Sequence, residues 1–169
     1  QEVPTGEVGE LVFKCVSNMR CYLNQPQATA DVLRDGWLYT GDMASIDVND
    51  LVTIVDRKKE IIIRGGENIS CAEVHAALHA HPRVLEAAVF TIPDERLGEA
   101  VGACVYLDEG EPVTEDELVQ AMTPLIARYK LPSKIWFHNG RLPRVGTEKI
   151  DKLALRDKYL NMSLDKSDG

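Results

Sequence analysis

No stretch of the 169 residues is apolar for long enough to approach a membrane-spanning helix, so no transmembrane segment is expected. Low-complexity tracts and internal repeats are also lacking. The four cysteines, Cys15, Cys21, Cys71 and Cys104, are scattered and form no C-x-x-C pair, which argues against a structural zinc site. Isolated thiols fit a reducing compartment better than a disulfide frame, and a cytoplasmic protein is expected. Positive charge is in short supply: 19 Lys and Arg stand against 27 Asp and Glu, a formal charge of -8. That balance argues against general nucleic-acid binding, because phosphate contacts need a basic surface, while a local basic cluster could still hold a small anionic ligand. The opening residues Q-E-V-P-T-G-E carry neither a basic n-region nor an apolar h-region, so no secretory signal is read there. Without a signal, the N-x-S/T matches at Asn68 and Asn161 read as chance. An initiating Met is missing too, and the chain is expected to be a fragment of something longer.

What is present concentrates in Asp56–Asn68, D-R-K-K-E-I-I-I-R-G-G-E-N. Arg57, Lys58 and Lys59 form a basic cluster in an acidic chain. Ile61–Ile63 has the β-branched character of a short strand. Gly65-Gly66 permits a sharp turn or a close backbone approach to a ligand. By itself this reads first as a solvated basic patch beside an edge strand and a turn.

Upstream, strand and turn signals prevail. Glu7–Phe13 alternates polar and apolar residues; Pro26–Leu33 reads as a short helix with proline near its start. Gly36–Thr40 turns into a strand ending at Gly41-Asp42. Two more strands, Met43–Ile46 and Leu51–Val55, flank a tight turn at Asp47–Asp50. No closed core of its own is evident in this region.

Downstream the pattern changes. Ser70-x-x-Glu73 is a capping box with Val74, Ala77 and Leu78 at helical spacing behind it, ended by His81-Pro82. Strands follow at Val84–Ile92, with a turn from Pro93, and at Glu99–Leu107. A second capping box, Thr114-x-x-Glu117, opens a helix whose face would carry Leu118, Ala121, Met122, Leu125 and Tyr129, with a kink or break at Pro124. Lys134–His138 is a short strand, Leu142–Lys149 an exposed loop, Leu153–Tyr159 a last helix, and Ser163–Gly169 a fraying tail. The fold class is α+β, with helices packed on a small mixed or antiparallel sheet.

Four stretches in this order resemble the adenylate-forming (AMP-binding) superfamily of acyl- and aryl-CoA synthetases, peptide-synthetase adenylation domains and luciferases. They are G-W-L-Y-T-G-D (36–42), D-R-K-K-E-I-I-I-R-G-G-E-N with I-S-C-A-E (56–73), Y-K-L-P (129–132) and L-P-R-V-G-T-E-K (142–149). The resemblance covers about residues 5–155 and is most like fatty-acyl and aryl-CoA ligases. It implies a β-rich end of a large amino-terminal domain (1–56), a hinge and following loop (57–68), a small carboxy-terminal domain (69–160) and a tail (161–169). The family's phosphate loop and acyl pocket are not found in these residues.

The resemblance also implies chemistry. A carboxylic acid and ATP would give an acyl-adenylate and pyrophosphate; CoA would then displace AMP as the small domain rotates. Asp42 would accept hydrogen bonds from the ribose hydroxyls with Arg57 beside it, while Tyr39 and Thr40 would border the nucleotide. Lys59 would be the pivot. Gly65 and Gly66 would line the pantetheine path, with Arg64 available to CoA phosphates. Lys149 would be the catalytic lysine, preceded by Glu148 where the family usually has glycine. Mg2+ would be held mainly by the large domain, and any homo-oligomer would form through it.

Taken singly, Asp42 is also a turn-capping residue and Lys149 one solvated lysine among many. His75, His79 and His81 begin with an i, i+4 spacing but have no acidic partner at a metalloprotease spacing; they read as a polar face, and no metal site is expected. Cys71, just past a helix N-cap, reads as packing, and Cys21 is assigned no chemistry. Rival readings are an aryl-acid or carrier-protein-loading ligase and a non-catalytic docking or regulatory module. The isolated chain is expected to be inactive.

Overall fold

The structure, a computed structural model, describes residues 2–146 and 148–164, the last three as backbone alone. The chain divides between Glu60 and Ile61 into two compact units.

The first unit is organised on one long strand. Its elements are β1 (Gly9–Phe13), α1 (Pro26–Val32), β2 (Leu33–Arg34), β3 (Trp37–Ile46) and β4 (Val52–Arg57). β3 pairs antiparallel with β1, β2 and β4. The sequence suggested two strands here, one ending at Asp42 and one starting at Met43; the structure has a single strand with a bulge. Glu10 faces Met43 and Val12 faces Tyr39, so β3 carries two residues more than β1 between those pairs. Gly41, at φ 72°, takes up the excess where a side chain would be strained. The turn at 47–50 forms as expected, with the Asp47 carboxylate accepting from the amides of Asn49 (2.8 Å) and Leu51 (3.0 Å). Ala44 is the one fully buried hydrophobic residue among those described in this unit.

The second unit holds the core. It comprises β5 (Ile61–Arg64), β6 (Glu67–Ser70), α2 (Cys71–Leu78), β7 (Val84–Asp94), β8 (Gly98–Leu107), α3 (Glu115–Met122), β9 (Lys134–Phe137) and α4 (Lys152–Leu164). β8 is central: β7 runs antiparallel along it, β9 pairs parallel with it, and β5 joins it at Arg64 opposite Gly98. The sheet is therefore mixed.

Side chains alternate across β8. Val101, Ala103 and Val105 meet Val74 and Leu78 of α2 and Leu118 and Met122 of α3. Ala100 and Cys104 face Leu155 and Tyr159 of α4. Both faces are covered, which is why β8 reads as an almost continuous apolar run instead of an alternating one. Gly102 lies on the α4 side, where an added Cβ would meet Ile92 at 2.6 Å and Phe90 and Trp136 at 3.2 Å.

Several expectations need correction. Residues 64–68 are not a loop after a short strand; β5 and β6 form a hairpin around Gly65-Gly66. α3 stops at Met122, the break expected at Pro124, which has no amide to continue the helix. Leu125 and Tyr129, placed on the helix's apolar face by periodicity, are 54% and 40% exposed, and Ile126 enters the core instead. The segment 142–149 is not wholly exposed, since Leu142 is buried against the α4 side. β7 also runs through Pro93 to Asp94 before turning. Of the fraying tail expected at 163–169, residues 165–169 lie outside those described.

Candidate functional site

The candidate residues fall in both units. In the first, the bulge of β3 sets the geometry. Thr40 Oγ1 donates to the carbonyl of Leu11 (2.8 Å) and accepts from the amide of Asp42 (3.0 Å), so the hydroxyl ties the bulge to β1. Asp42 then faces Arg57 across the β3–β4 ladder. Arg57 Nε meets Asp42 Oδ1 at 2.9 Å, with the Arg57 side chain well exposed and Asp42 mostly covered. One contact through Nε leaves the terminal guanidinium N–H groups without a protein partner among the described residues. Being exposed, the pair adds only about 0–1 kcal/mol to stability.

Around it, Tyr39 lies under the Arg34 guanidinium, 4.8 Å from ring centre to carbon. Gly41, Arg57, Lys58 and Lys59 line a depression of about 350 Å³. Lys58 is turned away to Glu10 at 2.7 Å, which sequence reasoning did not anticipate. Lys59 sits in a single 3-10 turn, Lys58–Glu60, directly before the division between the units.

In the second unit, Gly65 (φ 59°) and Gly66 (φ 92°) are the two central residues of the β5–β6 turn, with Arg64 opposite Glu67. Two consecutive positive φ values make this a type I′ turn, which suits the twist of the strands and disfavours side chains at both places. The Gly65 amide donates to Leu97 (2.9 Å), and a Cβ there would come within 3.0 Å of the Leu97 side chain. Arg64 is partly committed within the fold, where its Nη1 donates to the carbonyl of Tyr129 at 2.7 Å. Its Nε is buried without a hydrogen-bond partner among the described residues. Lys130, beside Tyr129, pairs with both carboxylate oxygens of Glu73 at 2.7 Å and links this segment to α2.

Lys149 lies at an exposed position in a closed loop. Arg144 and Ile150 form an antiparallel bridge, and the Val145 amide donates to the Lys149 carbonyl at 2.9 Å. Glu148 has a φ of 61°, the left-handed region that glycine adopts freely. Among the described residues the Lys149 ammonium has no ion-pair partner, Glu148 included, and no hydrogen bond joins Lys149 to Arg64, Gly65 or Gly66.

Sequence reasoning missed the loop's anchor on β7. Glu86 Oε2 accepts from the Leu142 amide (2.8 Å) and Oε1 pairs with Arg144 (2.9 Å). Burial pushes the Glu86 carboxyl upward, but the Leu142 amide and Arg144 outweigh it and hold the group below the usual carboxylate range. A usable signal existed: a lone carboxylate in the apolar run V-L-E-A-A-V-F calls for a buried partner.

The histidines behave as a surface group. His75 and His79 rings lie 4.5 Å apart, and no cluster of three metal-binding side chains occurs among the described residues. Burial and then the charges of His79 and Lys152 keep His75 below its ordinary value. Cys71 is buried in the α2 core.

Comparison with known proteins identifies what the chain is similar to. Residues 73–149 match the AMP-binding enzyme C-terminal domain family. The chain is 42% identical over 159 residues to feruloyl-CoA synthase from Amycolatopsis sp, covering 94% of this chain and 32% of the relative. It is also 42% identical over 151 residues to a long-chain-fatty-acid–CoA ligase from Mycobacterium tuberculosis, covering 89% of this chain and 30% of the relative. Among solved structures it resembles o-succinylbenzoate CoA synthetase from Bacillus subtilis bound to an acyl-adenylate. That match has a TM-score of 0.81 and 34% identity, over 91% of this chain and 31% of the other. The same synthetase is also solved with ATP and a magnesium ion. The chain thus spans about a third of the length of the relatives it matches.

Proposed function

From the premise that this chain belongs to the adenylate-forming AMP-binding enzymes, we propose that it is the carboxy-terminal part of an ATP-dependent acid–thiol ligase. The acid is fatty or aromatic, since the two ligases of those classes match equally well. The observation that carries the reading is the Asp42–Arg57 pair, a partly covered carboxylate beside a guanidinium with unspent donors at the edge of an open depression.

In this reading the carboxylate of the acid attacks the α-phosphorus of ATP and pyrophosphate leaves. The mixed anhydride supplies the leaving group that a free carboxylate lacks. Asp42 accepts from the ribose hydroxyls as an ionised acceptor, and Arg57 adds its free N–H groups; Tyr39 and Thr40 border the nucleotide. Lys149 offsets the negative charge that builds between the carboxylate and the α-phosphate, the role in which a preoriented cation is worth most. Its exposed ammonium, without a protein partner among the described residues, supports that role.

The thiol of CoA then attacks the acyl carbon, loses its proton, and AMP departs. Rotation at Lys59 between the two steps is supported by its place in a short turn at the boundary of the units. Gly65 and Gly66 border the pantetheine. Arg64 serves CoA phosphates only with donors not committed to Tyr129. Magnesium accompanies ATP; no group of three metal-binding side chains is found among the described residues, and no step here depends on one. The 169-residue chain by itself, without a phosphate loop, forms no adenylate.

The test separates the half-reactions in the full-length enzyme. Lys149→Ala should lower adenylation from acid and ATP by at least about 100-fold, and leave thioester formation from supplied acyl-adenylate within about twofold. Equal loss in both steps would count against the rotating-domain reading. Offering free CoA and a carrier protein in parallel identifies the acceptor, and pyrophosphate release by the isolated chain would contradict its assigned inactivity.

A further inference from the structure

The loop carrying Lys149 is moored to the sheet through two side chains. Glu86 projects from β7 with a side chain only 14% exposed. One carboxylate oxygen takes the Leu142 amide where the loop begins, and the other takes Arg144. Arg144 spans onward: its Nη1 donates to the Glu148 carbonyl at 2.6 Å. That carbonyl belongs to the peptide unit whose nitrogen is the amide of Lys149. Because a peptide is planar, fixing its oxygen fixes the direction in which the Lys149 Cα leaves it.

Two further bonds close the frame. The Glu148 amide donates to Val145 (3.0 Å) and the Val145 amide to Lys149 (2.9 Å). The left-handed conformation at Glu148 is therefore held from both of its peptide groups, although a β-carbon disfavours it. A side chain in this conformation persists only where its surroundings overdetermine it, and Arg144 is the one charged side chain seen to do so among the described residues.

We propose that Glu86 and Arg144 are positioning residues for Lys149: Glu86 orients the Arg144 guanidinium, and Arg144 orients the 148–149 peptide so that the ammonium is presented in one direction. The inference rests on the reading of Lys149 as the adenylation lysine. Neither residue touches substrate. Their effect on rate comes through geometry, and a displacement of about 1 Å in such a group costs on the order of 100-fold. Lysine cannot replace Arg144 fully, because a single ammonium lacks the fork that spans Glu86 and the Glu148 carbonyl together.

The experiment uses the full-length enzyme with Arg144→Met, Arg144→Lys, Glu86→Gln, Lys149→Ala and the Lys149→Ala/Arg144→Met double variant. Both half-reactions are measured, with kcat and KM for ATP. Arg144→Met and Glu86→Gln should each lower the adenylation kcat by about 10–100-fold, with KM for ATP and the thioester step within about twofold. Arg144→Lys should fall between Arg144→Met and the native enzyme. The double variant should be no slower in adenylation than Lys149→Ala, since a misdirected lysine and an absent one are equivalent. If Arg144→Met fails to fold, Glu86→Gln, which keeps an acceptor for Leu142, carries the same comparison. Equal loss in both half-reactions, undiminished adenylation, or a double variant slower than Lys149→Ala would each overturn the proposal. Should Lys149→Ala itself retain adenylation, the reading of Lys149 fails, and that result is distinct from a failure of the clamp alone.

Discussion

Glu148 shows how much a single backbone angle can say. The sequence marks it as a departure, a glutamate where the family usually has glycine. The structure supplies the reason glycine suits the place: φ is 61°, and a β-carbon there costs on the order of 1 kcal/mol. Glu148→Gly should therefore stabilise the loop, with part of the gain returned because glycine gives the unfolded chain more freedom. A net rise of under about 1 kcal/mol in unfolding free energy is expected from denaturant titration. A loss would show that the glutamate side chain makes a contribution of its own. Arg144 should keep its grip in this variant, because it holds the main-chain carbonyl and not the side chain. Thr40 teaches a related lesson: its position in the motif is legible, but its hydroxyl is spent within the bulge, a fact that depends on pairing with a strand 29 residues away.

At the scale of elements, local signals were readable and long-range ones were not. The capping box at Thr114 forms in full, with Glu117 returning to the Thr114 amide at 2.7 Å, because both partners lie within four residues. The break at Pro124 is legible from the proline itself; what periodicity misplaces is Leu125 and Tyr129, carried past that break onto an apolar face although both are exposed. β6 went unseen because Glu67–Ser70 has little strand character; it is a strand through its pairing with β5.

The contact of α4 with β8 yields a pH prediction. Burial raises the Cys104 thiol from 9.0 to about 11 against the opposing pull of the Tyr159 hydrogen bond and Lys158, and burial raises the Tyr159 hydroxyl as well. The folded thiol keeps its proton where the unfolded one has lost it. The sign follows: stability is intact below about pH 9 and declines as pH rises from 9 towards 11. Thermal midpoints measured across that window should fall, and Cys104→Ala should fall less steeply while Tyr159 still contributes. An identical slope in the variant would exclude the thiol as a cause.

For the whole molecule, the two units differ in what they can sustain alone. Residues 61–169 bury a core on each face of their sheet. Residues 1–60 bury Ala44, while Val16, Leu23, Val48, Leu51 and Ile54 are exposed among the described residues. A chain of 61–169 should unfold cooperatively on heating, and one of 1–60 should show no cooperative transition by circular dichroism or calorimetry. Cooperative melting of 1–60 would reveal a core not apparent here. This asymmetry was legible in outline, since strand signals without a compact apolar set were evident before residue 56. The mixed sheet was legible only as a class. The parallel pairing of β9 with β8 joins residues more than thirty apart in sequence, and no local pattern encodes it.

Gly102 bears on how that sheet finds its alignment. A strand lined with apolar residues on both faces offers little to distinguish one sliding position from the next. Beneath the Phe90 and Trp136 rings there is room for a hydrogen atom and not for a methyl group. Any slip of β8 along β7 and β9 would bring Val101, Ala103 or another side chain to that point. The missing atom works as a key: it admits one alignment of the three strands and rejects its neighbours.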